Sequence, residues 1–65
     1  MERINAVVEY IRSQSDFDYD RNMVMILGIR AILERYGIDY DGFTEHEKKL
    51  LYEEIMVLAI ENEID

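Results

Sequence analysis

Fifteen of the 65 side chains are carboxylates, and with one histidine and no cysteine they are the groups with which this chain could do chemistry. Carboxylates ligate hard cations, exchange protons as a pair, or present a row of negative charge. The first use is tested by Asp16, Asp18 and Asp20, whose alternate spacing matches the first three ligands of an EF-hand loop. The sixth position of that loop is then Arg21 in place of glycine, and the twelfth is Leu27 in place of a bidentate glutamate. Two essential parts are missing, so a solvated acidic loop is expected and no metal. The second use needs a cleft that lifts one carboxyl pKa, and these acids fall in predicted loops or on predicted exposed faces. His46 stands before Glu47 and Lys48 without the second histidine of a zinc-protease helix, and suits a surface position in a first helical turn. Ser13, Ser15 and Thr44 have no neighbouring group that would activate a hydroxyl. A non-enzymatic protein without a cofactor is the expectation.

The third use fits the charge balance. Fifteen acids stand against seven bases, for a net charge of −8, and the excess is uneven. Residues 1–35 carry five arginines against six acids, a net of −1, whereas residues 36–65 carry Lys48 and Lys49 against nine acids, a net of −7. Nucleic acids and anionic membranes are bound through Lys and Arg, so direct binding to either is disfavoured and a basic protein is the favoured partner. A helix-turn-helix reading fails on the same ground. Its recognition helix would carry Glu45, Glu47, Glu53, Glu54 and Glu61 against two lysines. The longest uninterrupted apolar run, residues 23–29, is far short of the roughly 18 residues that cross a membrane, and the opening MERINAVVEY lacks a signal-peptide layout. A cytoplasmic single domain over residues 1–65 is expected, with a modest core.

The elements that position these acids are helical. Ile4, Val7, Val8 and Ile11 fall on one face of a helix over residues 2–13. Residues 13–20, SQSDFDYD, have the wrong period for a helix. If extended, they place Asp16, Asp18 and Asp20 on one side at roughly 6.6 Å intervals, with Phe17 and Tyr19 on the other as anchors. Asp20 or Asn22 is placed to cap a central helix over residues 21–36. That helix is the most apolar segment. Met25, Ile26, Ile29, Ile32, Leu33 and Tyr36 form one stripe and Val24, Leu27 and Ala31 a second, so two neighbours are required. Gly28 inside it costs about 1 kcal/mol relative to alanine, and Gly37 ends it as a left-handed cap with Ile38 as the accompanying contact.

Asp39, Tyr40 and Asp41 then repeat the acid, aromatic, acid theme before an Asp41-Gly42 turn. Thr44 and Glu47 form a capping box that starts a third helix over residues 45–62. Leu51, Tyr52, Ile55, Met56, Leu58 and Ala59 face the central helix, and Glu47, Glu54 and Glu61 recur every seventh residue, about 10.5 Å apart, as an acidic ridge. Beside the ridge Leu50, Val57, Ile60 and Ile64 make another apolar strip, which must cover the first helix, bury in a homodimer or receive a partner. The fold expected is all-α, a three-helix bundle with the second helix central.

These rows of acid, namely DFDYD, DYD and Glu47/Glu54/Glu61, in a short cysteine-free chain resemble the small acidic DNA-mimic proteins with which bacteriophages block host or defence proteins. The resemblance is one of class and rests on no family motif. It implies an inhibitor that occupies the nucleic-acid site of a basic protein, with Asp16, Asp18, Asp20, Asp39, Asp41, Glu47, Glu54 and Glu61 as the partner-binding residues. The competing reading is a structural or regulatory module that dimerises, or holds a partner helix, through the Leu50/Val57/Ile60/Ile64 strip.

Overall fold

The computed structural model describes residues 2–64, so the end residues Met1 and Asp65 of the expected domain lie outside the described residues. The protein is all-helical: α1 (Glu2–Arg12), α2 (Arg21–Leu27), α3 (Ile29–Arg35), a 3-10 turn (Tyr40–Gly42) and α4 (Glu45–Ile64). At 20 residues α4 is about 30 Å long by its rise per residue, which matches the 31 Å long axis of the molecule. It touches α1, α2 and α3.

The departure from the expected three-helix bundle lies at Gly28. A continuous helix over residues 21–36 would set Val24 and Leu33, nine residues apart, on opposite sides at about 100° per residue. Instead Gly28 leaves the helical region with φ 86° and ψ 153°, a conformation essentially restricted to glycine. Its amide closes α2 on the Val24 carbonyl at 2.9 Å, and its carbonyl opens α3 by accepting from Ile32 at 3.4 Å. The bend turns Val24 into the same core as Ile29, Ile32 and Leu33. Two apolar faces are reconciled by a break rather than by two neighbours, and α4, not the second helix, becomes the element common to the rest.

Most of the other local expectations hold, with α1 ending at Arg12 rather than residue 13 and α4 running on to Ile64 rather than residue 62. Ile4, Val8 and Ile11 are buried on α1, and Leu51, Ile55, Leu58 and Ala59 on α4, whereas Tyr52 stays exposed and Met56 is half-buried. Asp20, rather than Asn22, caps α2 by accepting from the Met23 amide at 2.8 Å. Gly37, at φ 74°, ends α3 with its own amide on Glu34 and the Ile38 amide on Leu33, both at 3.0 Å, the paired bonds of a Schellman cap. The Thr44 hydroxyl accepts from the Glu47 amide at 3.1 Å and the Glu47 carboxylate accepts from the Thr44 amide at 2.9 Å. Among the described residues no polar or charged side chain is buried.

Candidate interaction surface

The loop between α1 and α2 sorts its residues as an extended strand would. Tyr19 is buried, Phe17 packs on it edge to face with ring centroids 5.2 Å apart, and Asp16 and Asp18 are exposed. The carboxylates do not form a free row, however. Asp20 is occupied by the Met23 amide, and Asp16 accepts from the Tyr36 hydroxyl at 3.3 Å and lies 3.9 Å from Arg35. In the second acidic loop Asp39 accepts from the Asp41 amide at 3.2 Å, and Asp41 pairs with Arg30 and, at 4.0 Å, with Lys48. On α4 Glu47 lies 3.3 Å from Arg3 and Glu61 2.8 Å from Arg12. Of the eight acids expected to bind a partner, only Asp18 and Glu54 make no ion pair or side-chain hydrogen bond among the described residues.

All five arginines are used this way, the fifth by pairing with Glu63 at 2.8 Å. Each joins two segments: Arg3 and Arg12 fasten α1 to α4, Arg21 fastens the start of α2 to the end of α4, and Arg30 and Arg35 fasten α3 to the two acidic loops. Three of them also lie over aromatic faces, Arg3 on Phe43 at 4.3 Å, Arg30 on Tyr40 at 5.2 Å and Arg35 on Tyr19 at 5.4 Å. The pairs are solvent-exposed, so they orient segments more than they stabilise the fold. They also tune protonation. The hydrogen bond from Arg30 holds the Asp41 carboxyl below its ordinary range, and the Thr44 amide does the same for Glu47 with Arg3 adding to it. Burial, followed by the charge of Asp16, pushes the Tyr36 phenol up to about 12.

The four acids paired with arginine therefore divide between two places. Glu47 and Glu61 face α1, whereas Asp16 and Asp41 flank α3. Sequence reasoning could not pair them, since the partners stand 11 to 49 positions apart. The carboxylates that make no ion pair or side-chain hydrogen bond among the described residues include Glu9, Asp18, Glu34, Glu45, Glu53 and Glu54, of which Glu54 alone is half-buried. Glu53 is the exposed acid that borders the apolar strip of α4. Its signal was visible in its position four residues before Val57, on the same helical face.

The apolar strip beside the ridge is only partly covered. Leu50 packs against the core, but Val57, Ile60 and Ile64 are 43%, 40% and 79% exposed. Of the second stripe expected on the central helix, Val24 is buried, while Leu27 and Ala31 are exposed. Met25 and Ile26 are barer still, at 66% and 80%. Two surface hollows, of about 240 and 320 Å³, are bounded by the Arg12–Glu61 and Arg21–Glu63 pairs and sit around the low end of small-molecule sites. No group of three or more metal-ligating side chains converges among the described residues, and no described helix is long and apolar enough to cross a membrane. No protein-family model matches the chain, and neither a curated protein nor a solved structure matches it.

Proposed function

We propose that the protein is a non-enzymatic binding protein of the cytoplasm that engages a basic protein partner, acting as an acidic decoy at a nucleic-acid site in the manner of phage DNA mimics. One observation carries the reading. All five arginines are consumed by internal pairs and Lys48 lies beside Asp41, so the surface left to a partner is a surplus of carboxylates opposed by little more than Lys49. Such a surface attracts Lys and Arg over a Debye length and speeds encounter in a salt-dependent way. Asp18, Glu53, Glu54, Glu9 and Glu34 carry the attraction, while Asp16, Asp20, Asp39, Asp41, Glu47 and Glu61 serve the fold first and the partner second.

The test is capture from a cytoplasmic extract, eluted first by salt and then by duplex DNA. The decoy releases its partner between low and moderate salt and loses it to DNA. Reversal of Asp18, Glu53 and Glu54 to lysine, which leaves every internal pair intact, abolishes capture. Unchanged capture by that triple variant would sink the reading. A second reading, an interaction module that works through apolar contact, is favoured by the exposure of Val57, Ile60 and Ile64, and its binding is nearly indifferent to salt.

A further inference from the structure

The chain already holds most of a single helix from Arg21 to Arg35. The Gly28 amide reaches the Val24 carbonyl and the Gly28 carbonyl accepts from the Ile32 amide, the bonds an unbroken α-helix would make, so the ladder lacks only three rungs. Among the described residues, the amides of Ile29, Arg30 and Ala31 make no bond to the carbonyls of Met25, Ile26 and Leu27, and no side chain caps the start of α3. A single residue makes the connection, where helix–helix connections commonly take about 2–8. Turning Gly28 from its positive-φ conformation into the helical region supplies all three bonds at once.

One chain cannot make that turn and keep its core. A continuous helix sets residues 20 and 35 about 22 Å apart, whereas in the folded chain Arg35 donates to the Tyr19 hydroxyl, the Tyr36 hydroxyl donates to Asp16, and Tyr19 and Val24 are buried. Two chains can. As the helix straightens, α1, the first acidic loop and α2 swing as a unit off α3 and α4, and the same unit of a second copy fits the vacated place contact for contact. The two apolar faces of the straight helix then serve two cores. Ile29, Ile32 and Leu33 stay in their own, and Val24, on the opposite side from Leu33, enters the partner copy's. We infer that Gly28 is the hinge of a domain-swapped homodimer, in which α1 and α2 of each copy pack on α3 and α4 of the other and residues 21–35 run as one helix. The second copy is the occupant because only the same sequence remakes every pair that ties the two units together: Arg3 with Glu47, Arg12 with Glu61 and Arg21 with Glu63. Closed monomer and swapped dimer differ only at the hinges and where the straight helices cross. Three backbone bonds gained at each hinge oppose the entropy of association, so protein concentration sets the balance. The swap goes beyond the basic-partner reading and does not depend on it.

The test is refolding of the full chain from urea at low micromolar and at millimolar concentration, with the mass read by light scattering after size exclusion. The micromolar sample is monomeric, and the millimolar sample contains a dimer. In that dimer the amides of Ile29, Arg30 and Ala31 become protected from hydrogen exchange, whereas in the monomer they exchange freely. In a dimer refolded from mixed isotope-labelled and unlabelled chains, the NOEs that join α1 to α4 run between chains. Gly28→Ala, at which no atom lies within 4 Å of the added Cβ, disfavours the bent backbone and lowers the dimer dissociation constant by about a hundredfold, tenfold for each hinge. A pair of glycines inserted after Gly28 slackens the connection and removes the dimer. A wild-type chain that stays monomeric at millimolar concentration would overturn the inference. So would a dimer whose α1–α4 NOEs stay within one chain, a dimer whose amides at residues 29–31 stay unprotected, or equal dimerisation of the insertion variant. Wild-type refolding decides by itself, so a Gly28→Ala chain that fails to fold does not protect the inference.

Discussion

Residues 23–27 and 29–33 sit side by side in one apolar stretch and meet opposite fates. In α2 five consecutive apolar residues contribute one buried side chain, Val24, whereas in α3 Ile29, Ile32 and Leu33 are all buried. The less apolar half makes more of the core. The difference lies in pattern rather than hydrophobicity, because α3 carries Arg30, Glu34 and Arg35 on its outer side and so has one rotation that satisfies everything. α2 has no polar side between Asn22 and Gly28, and its own residues do not choose a rotation. It is oriented from its ends, by the Asp20 cap, the Arg21–Glu63 pair and the turn at Gly28.

The largest break in this comparison is at Leu33, which is fully buried in the common core. Leu33→Ala removes packed methyl groups and leaves a cavity, at a cost of about 2–5 kcal/mol. For a 65-residue domain, that is much of the total stability. Urea unfolding followed by circular dichroism measures it, and a loss below about 1 kcal/mol would mean that α3 is not the anchor of the pair.

Next in size is Gly28→Ala. No atom stands within 4 Å of an added Cβ, so sterics outside the residue are not the issue. The backbone is: φ 86° with ψ 153° costs a non-glycine residue about 1–3 kcal/mol. A matching fall in stability establishes the break as the ground state. If stability and helicity both rise, then alanine has joined α2 and α3 into one helix and Val24 has left the core.

These positions also mark how far the sequence was legible. Features written within four or five residues were readable: the α1 stripe, the Asp20 cap, the Gly37 ending and the Thr44–Glu47 box all follow from local chemistry and all stand in the structure. The two apolar faces of residues 23–36 were also readable, but not their resolution. Gly28 is compatible with a helix at a small cost and with a sharp turn at none, and only the common position of the core for Val24 and Leu33 decides between them. The internal partners of the acidic rows were not legible for a related reason. Spacing along the chain set carboxylates in rows, but the arginines that neutralise Asp16, Asp41, Glu47 and Glu61 arrive from other segments.

The smallest effect is expected at Ile26, the barest residue of α2 at 80% exposure. Ile26→Gln removes almost no buried surface and exchanges a β-branched residue for a better helix former, so the unfolding free energy should move by no more than about 0.5 kcal/mol. The same substitution in α3, at Ile32, would bury an unpartnered amide in the core. Equality at Ile26 therefore sharpens the contrast between the halves, and its failure is equally informative. A loss comparable to that of a core substitution requires that Ile26 be covered in solution, and because a covering second copy stabilises by mass action, the unfolding midpoint would then rise with protein concentration. A midpoint independent of concentration, with no loss at Ile26, leaves α2 as a helix whose place is set by its ends while most of its apolar surface faces water.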